Sequence, residues 1–421
     1  MSPARPTVQV IGRRLEPADH RLRDFLTRAD QPYDFYEPDS PEALDLLGRH
    51  AIAEARLPVV IDGDQVFNGA TIEALAEAWG GFQPPARAHY DLAIVGAGPA
   101  GLGAAVYAAS DGLSTIVFER DIPGGQASHT SMIENFFGFP DGIEGAHLAR
   151  MAARQAERFG AELILLRGVT GGHWDDETRW HFELAGDVEV TADVAVAAPG
   201  MEWRRLDVEG LDELLDRGVY YGAGRSEAAT CTGDDVVVVG AGNSAGQAVM
   251  SFADAGARVT MVVRGDVLGR TMSGYLVDRI GEHPGIDVRL RTQVREVHAD
   301  HERLRAVTIE DAAGAVERRP ADGLFLCIGG EPRTGWADAA GVRLDRAGYV
   351  LTGPDLLEAG NRPEGWPLDR DPLALETSVP GLFAAGDVRS GSTKRVAGAV
   401  GEGAMAVALA HRRLAELAAA V

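Results

Sequence analysis

Three observations predict an α/β protein of several domains. Two separate segments read as strand, glycine-rich turn, helix and second strand; a shorter run of alternating strand and helix patterns precedes them; and 421 residues exceed what one core usually holds. Each element can be justified in order. Thr7 to Ile11 is an apolar strand, followed by a helix over His20 to Ala29 and a strand-like Tyr33 to Glu37. A second helix spans Pro41 to Gly48, Leu57-Pro58-Val59-Val60-Ile61 forms a strand, and a third helix begins at Thr71. Proline is tolerated at a strand start or edge, so Pro58 marks the opening of its strand, with a cis peptide one option. Gly81 to His89, with Pro84-Pro85, reads as a linker.

Beyond the linker, the strand Tyr90 to Val95 runs into Gly96-Ala97-Gly98-Pro99-Ala100-Gly101. A helix follows to Ser110, then the strand Thr115 to Phe118, ending at Glu119. That is a dinucleotide-binding βαβ unit. Gly96 permits the tight turn, Gly98 lets the backbone approach a pyrophosphate, Gly101 allows close helix packing, and an acid about 20 residues on suits ribose hydroxyls. The helix N-terminus adds the positive end of its dipole. A second copy spans Val236 to Val239, Gly240-Ala241-Gly242-Asn243-Ser244-Ala245-Gly246, a helix to Ala255 and the strand Arg258 to Val263. Here the strand closes on Arg264, with Arg270 following. An Arg at this position pairs with a 2′-phosphate, which favours NADPH and leaves NADH as the alternative; Asp266 nearby weakens the preference. Two Rossmann-like domains therefore follow one another.

The same residues, Gly242-Asn243-Ser244-Ala245-Gly246, match the G-x-S-x-G elbow of hydrolases. A hydrolase also needs a His in context after the serine, and His283, His298, His301 and His411 stand in none. The complete dinucleotide fingerprint, present twice, is the stronger reading.

Charge narrows the partners. Forty basic against 63 acidic residues give −23, which repels phosphate backbones and anionic lipid, so neither nucleic acid nor membrane is expected. No signal-like or membrane-spanning run occurs, which predicts a cytoplasmic protein. With only Cys231 and Cys327, far apart, a disulfide scaffold or a Cys-rich metal site is not expected, and no metal is predicted.

From Tyr90 onward the chain resembles the low-molecular-weight thioredoxin reductases, in five blocks. Gly96 to Gly101 resembles their FAD turn; Pro123-Gly124-Gly125-Gln126 with Thr130 and Ile133-Glu134-Asn135-Phe136 resembles their flavin-wrapping segment; Ala198-Pro199-Gly200 stands where the chain leaves the FAD domain. The second fingerprint resembles their NADPH site, and Gly381-Leu382-Phe383-Ala384-Ala385-Gly386-Asp387-Val388 their closing FAD motif. The resemblance implies FAD at Gly96, Gly98, Pro99, Ala100, Gly101, Glu119, Arg120, Gly125, Gln126, Thr130, Asn135, Gly386, Asp387, Lys394, Arg395 and Val396. It implies NADPH at Gly240, Gly242, Asn243, Ser244, Ala245, Arg264 and Arg270. Asp387 would meet the ribityl chain and Lys394-Arg395-Val396-Ala397 would lie beside the isoalloxazine ring. A homodimer is implied in the same way.

The N-terminal unit is similar to glutaredoxin and thioredoxin folds, but Arg14-Leu15-Glu16-Pro17-Ala18-Asp19-His20 stands where their Cys-x-x-Cys would be. The reductase dithiol is missing too: its aligned position reads Gly222-Ala223-Gly224-Arg225. Lone cysteines are usually small buried hydrophobes. The expected organisation is a thiol-free domain at 1–82, a linker at 83–89, FAD-domain segments at 90–203 and 332–421, and an NADPH domain at 204–331. The expected function is hydride transfer from NADPH to FAD and directly on to an acceptor, with no essential acid/base or nucleophilic side chain. The acceptor would be a small molecule or small redox protein. Alternatives are a flavin-bearing redox sensor or docking protein, and a disulfide reductase working through Cys231. The segment Gly353 to Glu376 is longer than the family's and reads as a substrate-entrance lining or a surface insertion.

Overall fold

The computed structural model describes residues 6–81, 83–175, 179–185, 188–222, 225–228 and 231–420. The first 78 residues fold as β1 (Val8–Ile11), α1 (Pro17–Arg28), β2 (Tyr33–Tyr36), α2 (Pro41–Arg49), β3 (Val59–Asp62), β4 (Gln65–Asn68) and α3 (Ile72–Ala78), with sheet order β2-β1-β3-β4. Ser40 and Thr71 start α2 and α3 by accepting the amides of Ala43 and Ala74, as good N-caps do. The Leu57–Pro58 peptide is cis, and Pro58 stands just ahead of β3, which is an inner strand. The sequence reading lacked β4. It closes a hairpin on β3 in which Asp62 faces Gln65, with Gly63 at φ +59, but its side chains are largely exposed and show no apolar alternation.

The next segment holds β5 (His89–Val95), α4 (Pro99–Ser110), β6 (Thr115–Phe118), α5 (Gly145–Phe159), β7 (Glu162–Ile164), β8 (Val169–Trp174), β9 (Trp180–Leu184), β10 (Val188–Ala197) and β11 (Met201–Trp203). The inserted segment holds β12 (Val219–Tyr221), α6 (Arg225–Ala228), β13 (Asp235–Val239), α7 (Asn243–Asp254), β14 (Arg258–Val263), α8 (Gly274–Glu282), β15 (Ile286–Leu290), β16 (Thr292–Asp300), β17 (Arg303–Asp311), β18 (Val316–Pro320) and β19 (Gly323–Leu326). The chain closes with β20 (Gly330–Pro332), β21 (Leu382–Ala384) and α9 (Val396–Ala420).

Two sheets carry the glycine turns, the first parallel from β7 to β10 and at β21 but antiparallel at β9 and β8, the second parallel throughout. In one, the order is β7-β6-β5-β10-β9-β8 with β21 on β10; in the other it is β12-β19-β13-β14-β15. Strands buried on both faces read as unbroken apolar runs, which is why Asp91-Leu-Ala-Ile-Val95 and Asp235-Val-Val-Val-Val239 were legible. Side-chain layers such as Leu92, Ile94, Val117 and Val196 fill the first core, and Val236, Val238, Phe252 and Phe325 the second.

The chain divides into two compact units. One joins residues up to Trp79 with His129–Met132 and Trp203–Gly329; the other holds Gly80–Ser128, Ile133–Glu202 and Gly330–Val421. Within the first, the N-terminal segment sits on the inserted nucleotide-binding segment through charge. Glu227 on α6 accepts from His20 Nδ1 at 2.9 Å and pairs with Arg23 at 3.2 Å, while Arg14 Nη2 donates to Asp234 at 2.8 Å. Arg23 is 1% exposed, and the ring of His20 packs 4.5 Å from that of Tyr220. Burial pushes the Glu227 carboxyl up, but the His20 hydrogen bond and the Arg23 charge outweigh it and hold it below the usual range.

Within the second unit, residues 353–376 are pinned to the domain. The buried Glu376 accepts from Arg370 at 2.6 Å and from the amides of Leu373 and Gly381, and Arg370 also donates to Glu416 on α9. This part of the segment is a structural tie.

Candidate functional site

The first glycine turn is built by close approach. A Cβ on Gly101 would stand 1.8 Å from the Gly96 carbonyl oxygen, and one on Gly96, at φ +103, 2.3 Å from that of Ala198. Gly98 differs: it is the N-cap of α4, and nothing of the protein lies within 4 Å of its would-be Cβ. Pro99 and Ala100 form the first helical turn behind it. The result is an open cradle at a helix N-terminus, which suits a pyrophosphate. Glu119 closes its side, accepting the Ala97 amide at 2.8 Å and the Asp121 amide at 3.0 Å. Burial pushes this carboxyl above its ordinary value, and the two amides pull it back. Arg120, next to it, is exposed.

The flavin-wrapping segment returns to the same turn. Gly124 donates to the Ala97 carbonyl at 2.8 Å, Gly125 (φ +51) packs against the Gly98 backbone, and Gln126 Nε2 donates to the Met201 carbonyl at 3.0 Å. Asn135 is exposed in the same unit. Thr130 belongs to the short His129–Met132 stretch of the first unit, where the His129 ring meets that of Trp203 edge-on.

At the closing motif, Gly386 (φ +80) lies against the Ala100 side chain and donates to Glu402 at 2.7 Å. Asp387 is largely buried, which raises its carboxyl, while Lys394 draws it back. Lys394, itself at φ +55, donates to the Asp387 carbonyl and lies 4.2 Å over the Tyr349 ring. Arg395 is exposed, and Val396 opens α9. Open cradle, ribose carboxylate and closing turn are thus contributed by one unit, and the donor set fits FAD.

The second turn repeats the geometry. Gly240, at φ +147, would carry a Cβ 2.3 Å from the Cys327 carbonyl, whereas Gly242 caps α7 with open space before it. The carboxamide oxygen of Asn243 accepts from the Ser273 amide at 2.8 Å, and Thr271 Oγ1 donates to the Ala241 carbonyl, so the loop after β14 is stitched to the turn. Ala245 is fully buried, and Ser244 is exposed with no histidine partner among the described residues, which leaves a hydrolase without its base. The two arginines diverge. Arg270 pairs with Asp266 at 3.1 Å, while Arg264, exposed at the end of β14, has no carboxylate partner among the described residues. The set fits a nicotinamide dinucleotide with Arg264 as the free cation. Arg264→Ala is expected to raise the Kd for NADPH about tenfold, the worth of one charge-assisted contact, and that for NADH less than about twofold. Equal losses, measured by titrating both nucleotides, would remove the 2′-phosphate role.

A family model for pyridine nucleotide-disulphide oxidoreductases matches residues 90–403. The chain belongs to that family. Its thioredoxin-reductase-like character is clear from its relatives: the thioredoxin reductase of Bacillus subtilis (strain 168) is 33% identical over 331 residues, covering 78% of this chain and 96% of its own. Thioredoxin reductase 1, mitochondrial, of Arabidopsis thaliana is 34% identical over 342 residues, covering 77% and 84%. The crystal structure of T. acidophilum thioredoxin reductase superposes with a TM-score of 0.68 at 28% identity, over 78% of this chain and all (100%) of that one. The protein is an FAD-dependent oxidoreductase of a family that uses FAD and NADPH.

In this reductase both thiols are free and buried. Cys231 Sγ donates to the Ala228 carbonyl and Cys327 Sγ to that of Gly222. Burial, with Asp234 adding for Cys231, pushes the thiols up to about 11 and about 12. Of the aligned dithiol position, Ala223 and Gly224 lie outside the described residues. Among the described residues no group of three or more His, Cys, Asp or Glu is arranged to hold a metal ion, and no helix is long and apolar enough to cross a membrane. Sequence reasoning missed Glu402, which ties the Gly386 amide to Arg389 (2.6 Å) from the second turn of α9. Nothing in the local sequence distinguishes it from any exposed helical glutamate.

Proposed function

We propose that this reductase passes reducing equivalents from NADPH through FAD directly to an acceptor, without an internal dithiol. The observation that carries the reading is the pair of open glycine cradles in a chain whose two thiols are both buried, hydrogen-bonded to backbone carbonyls and held protonated. FAD, when bound, would supply the two-electron redox chemistry linking NADPH to the acceptor.

The protein's own residues bind and orient. In this reading Gly96, Gly98 and Gly101 shape the pyrophosphate cradle, Glu119 takes the ribose hydroxyls, and Gly386 with Asp387 receives the ribityl chain. Gly240, Gly242 and Arg264 do the same for NADPH. The acceptor is a small quinone-like or disulfide compound, a one-electron protein carrier or oxygen. Segments 90–203 and 332–421 form the FAD domain and 204–331 the NADPH domain; residues 1–82 form a thioredoxin-like domain without thiols. The working form is a cytoplasmic homodimer.

The test is an anaerobic titration of the holoprotein with NADPH and, separately, NADH, followed by steady-state NADPH consumption with a small quinone. Stoichiometric loss of oxidised-flavin absorbance followed by cycling is expected. A single reduction without turnover would favour the sensor reading. The double variant Cys231→Ser, Cys327→Ser is expected to keep quinone-dependent turnover within about twofold, since neither thiol is poised as a thiolate. Complete loss in a folded, flavin-loaded variant would restore a thiol to the mechanism.

A further inference from the structure

The FAD-bearing unit contains a half-buried arginine, Arg333, whose Nε is buried without a hydrogen-bond partner among the described residues. Arg333 follows β20, and its backbone is fixed at both ends: its amide donates to the Gly200 carbonyl at 3.1 Å, and its carbonyl accepts from Trp336 Nε1 at 2.8 Å. Gly200 belongs to the Ala198-Pro199-Gly200 loop, whose Ala198 carbonyl closes on Gly96. Arg333 is therefore anchored on the loop that forms the wall of the pyrophosphate turn.

Its Nε is buried without a hydrogen-bond partner, and among the described residues no carboxylate lies within ion-pair distance of it. Three acids, Glu119, Glu202 and Asp121, act on it through space, but none pairs with it, and Glu119 is already engaged, one oxygen by the Ala97 amide and the other by that of Asp121. Burial first, and then the like charge of Arg120, press the guanidinium below its ordinary value. A partly buried guanidinium without a paired carboxylate gains from an anion delivered to it, and the neighbouring turn is built to hold one.

We propose that Arg333 is a binding residue for the anionic ADP half of FAD. This rests on the assignment of the first glycine turn to FAD. It adds a cation that no glycine fingerprint marks, since Arg333 lies more than 200 residues after Gly96 in the chain.

The test uses the full-length protein stripped of flavin and titrated with FAD, by quenching of flavin fluorescence, and with ADP as competitor. Arg333→Met is expected to weaken both FAD and ADP by about 10- to 100-fold, the range for a hydrogen bond to a charged group, with Arg333→Lys in between. Thermal melting supplies a readout that a merely structural arginine would not move in this way. The flavin-free Met variant should melt at or above the flavin-free wild type, because a charge without a paired carboxylate has been removed, while the FAD-loaded variant should melt below the loaded wild type. If Arg333→Met leaves FAD and ADP affinity unchanged while Glu119→Ala weakens them, the role of Arg333 falls and the FAD turn stands. If neither variant changes FAD affinity, the assignment of the turn itself falls. Weaker FAD with unchanged ADP would also overturn the proposal, since the contact would lie on the flavin half. A flavin-free variant that melts well below the wild type would make Arg333 structural.

Discussion

Gly101→Ala is expected to yield a poorly folded chain that carries no FAD. The added methyl would stand 1.8 Å from the Gly96 carbonyl oxygen and 3.3 Å from Ile94 Cγ2, so the conflict is with backbone and with β5. No flexible side-chain tip is there to swing aside. The first turn of α4 must lift away from the strand, and Ala100, whose carbonyl packs at the site of Gly403 on α9, moves with it. Overpacking in cores costs about 1–3 kcal/mol and sometimes more, and a backbone conflict this close belongs at or above the top of that range. Gly98→Ala provides the contrast. Nothing of the protein opposes a methyl there, so the chain should melt like the wild type yet retain little flavin, because the methyl enters the cradle. The ratio of flavin to protein absorbance and a thermal melt of each variant separate the two. A Gly101→Ala protein with full flavin and wild-type melting would show that the turn is not close-packed as described.

Glu227→Ala should release the N-terminal segment from the nucleotide-binding segment. Glu227 is the shared counter-charge for His20 and for Arg23, the latter among the largest fully buried side chains of the protein. Removing one partner of a buried pair leaves an uncompensated charge, which typically costs about 3–5 kcal/mol. Arg14–Asp234 and the His20–Tyr220 ring contact remain but are only partly buried or uncharged. The expected result is early protease cleavage between residues 80 and 89 and a separate, lower melting transition, with flavin content unchanged because the first glycine turn and the closing motif lie in the other unit. Glu227→Gln, which keeps a hydrogen-bond acceptor, should lie between. Wild-type protease resistance in Glu227→Ala would mean that the remaining contacts, Arg14–Asp234 and His20–Tyr220 among them, suffice to hold the segments together.

These outcomes also show what could be foreseen. Both glycine turns were legible because their requirements are local: a positive φ at Gly96 and Gly240 and close approach at Gly96, Gly101 and Gly240 must recur at fixed spacing between an apolar strand and a helix. Glu119 was legible because β6 has a fixed length and ends beside the turn. The strand β4 was not, since an exposed edge strand needs no apolar alternation. The contacts of His129 with Trp203 and Asp24 join residues far apart in sequence, and no local pattern marks them. Nor did residues 353–376 reveal their tie, which depends on Glu376 meeting Arg370 and both meeting α9.

The sequence by itself determined that two dinucleotide turns exist, that the chain has two widely separated thiols and no paired ones, and that an arginine ends the second strand. Backbone geometry over a few neighbouring residues and simple composition are enough for that. Only the tertiary structure decided which charges are neutralised. Arg270 is paired and Arg264, among the described residues, is not; Glu227 neutralises Arg23 from some 200 residues away; Glu402 serves Gly386; and Arg333 keeps a buried Nε with no hydrogen-bond partner among the described residues. Electrostatic energy depends on distance through space and on burial, and neither is written in the order of residues along the chain.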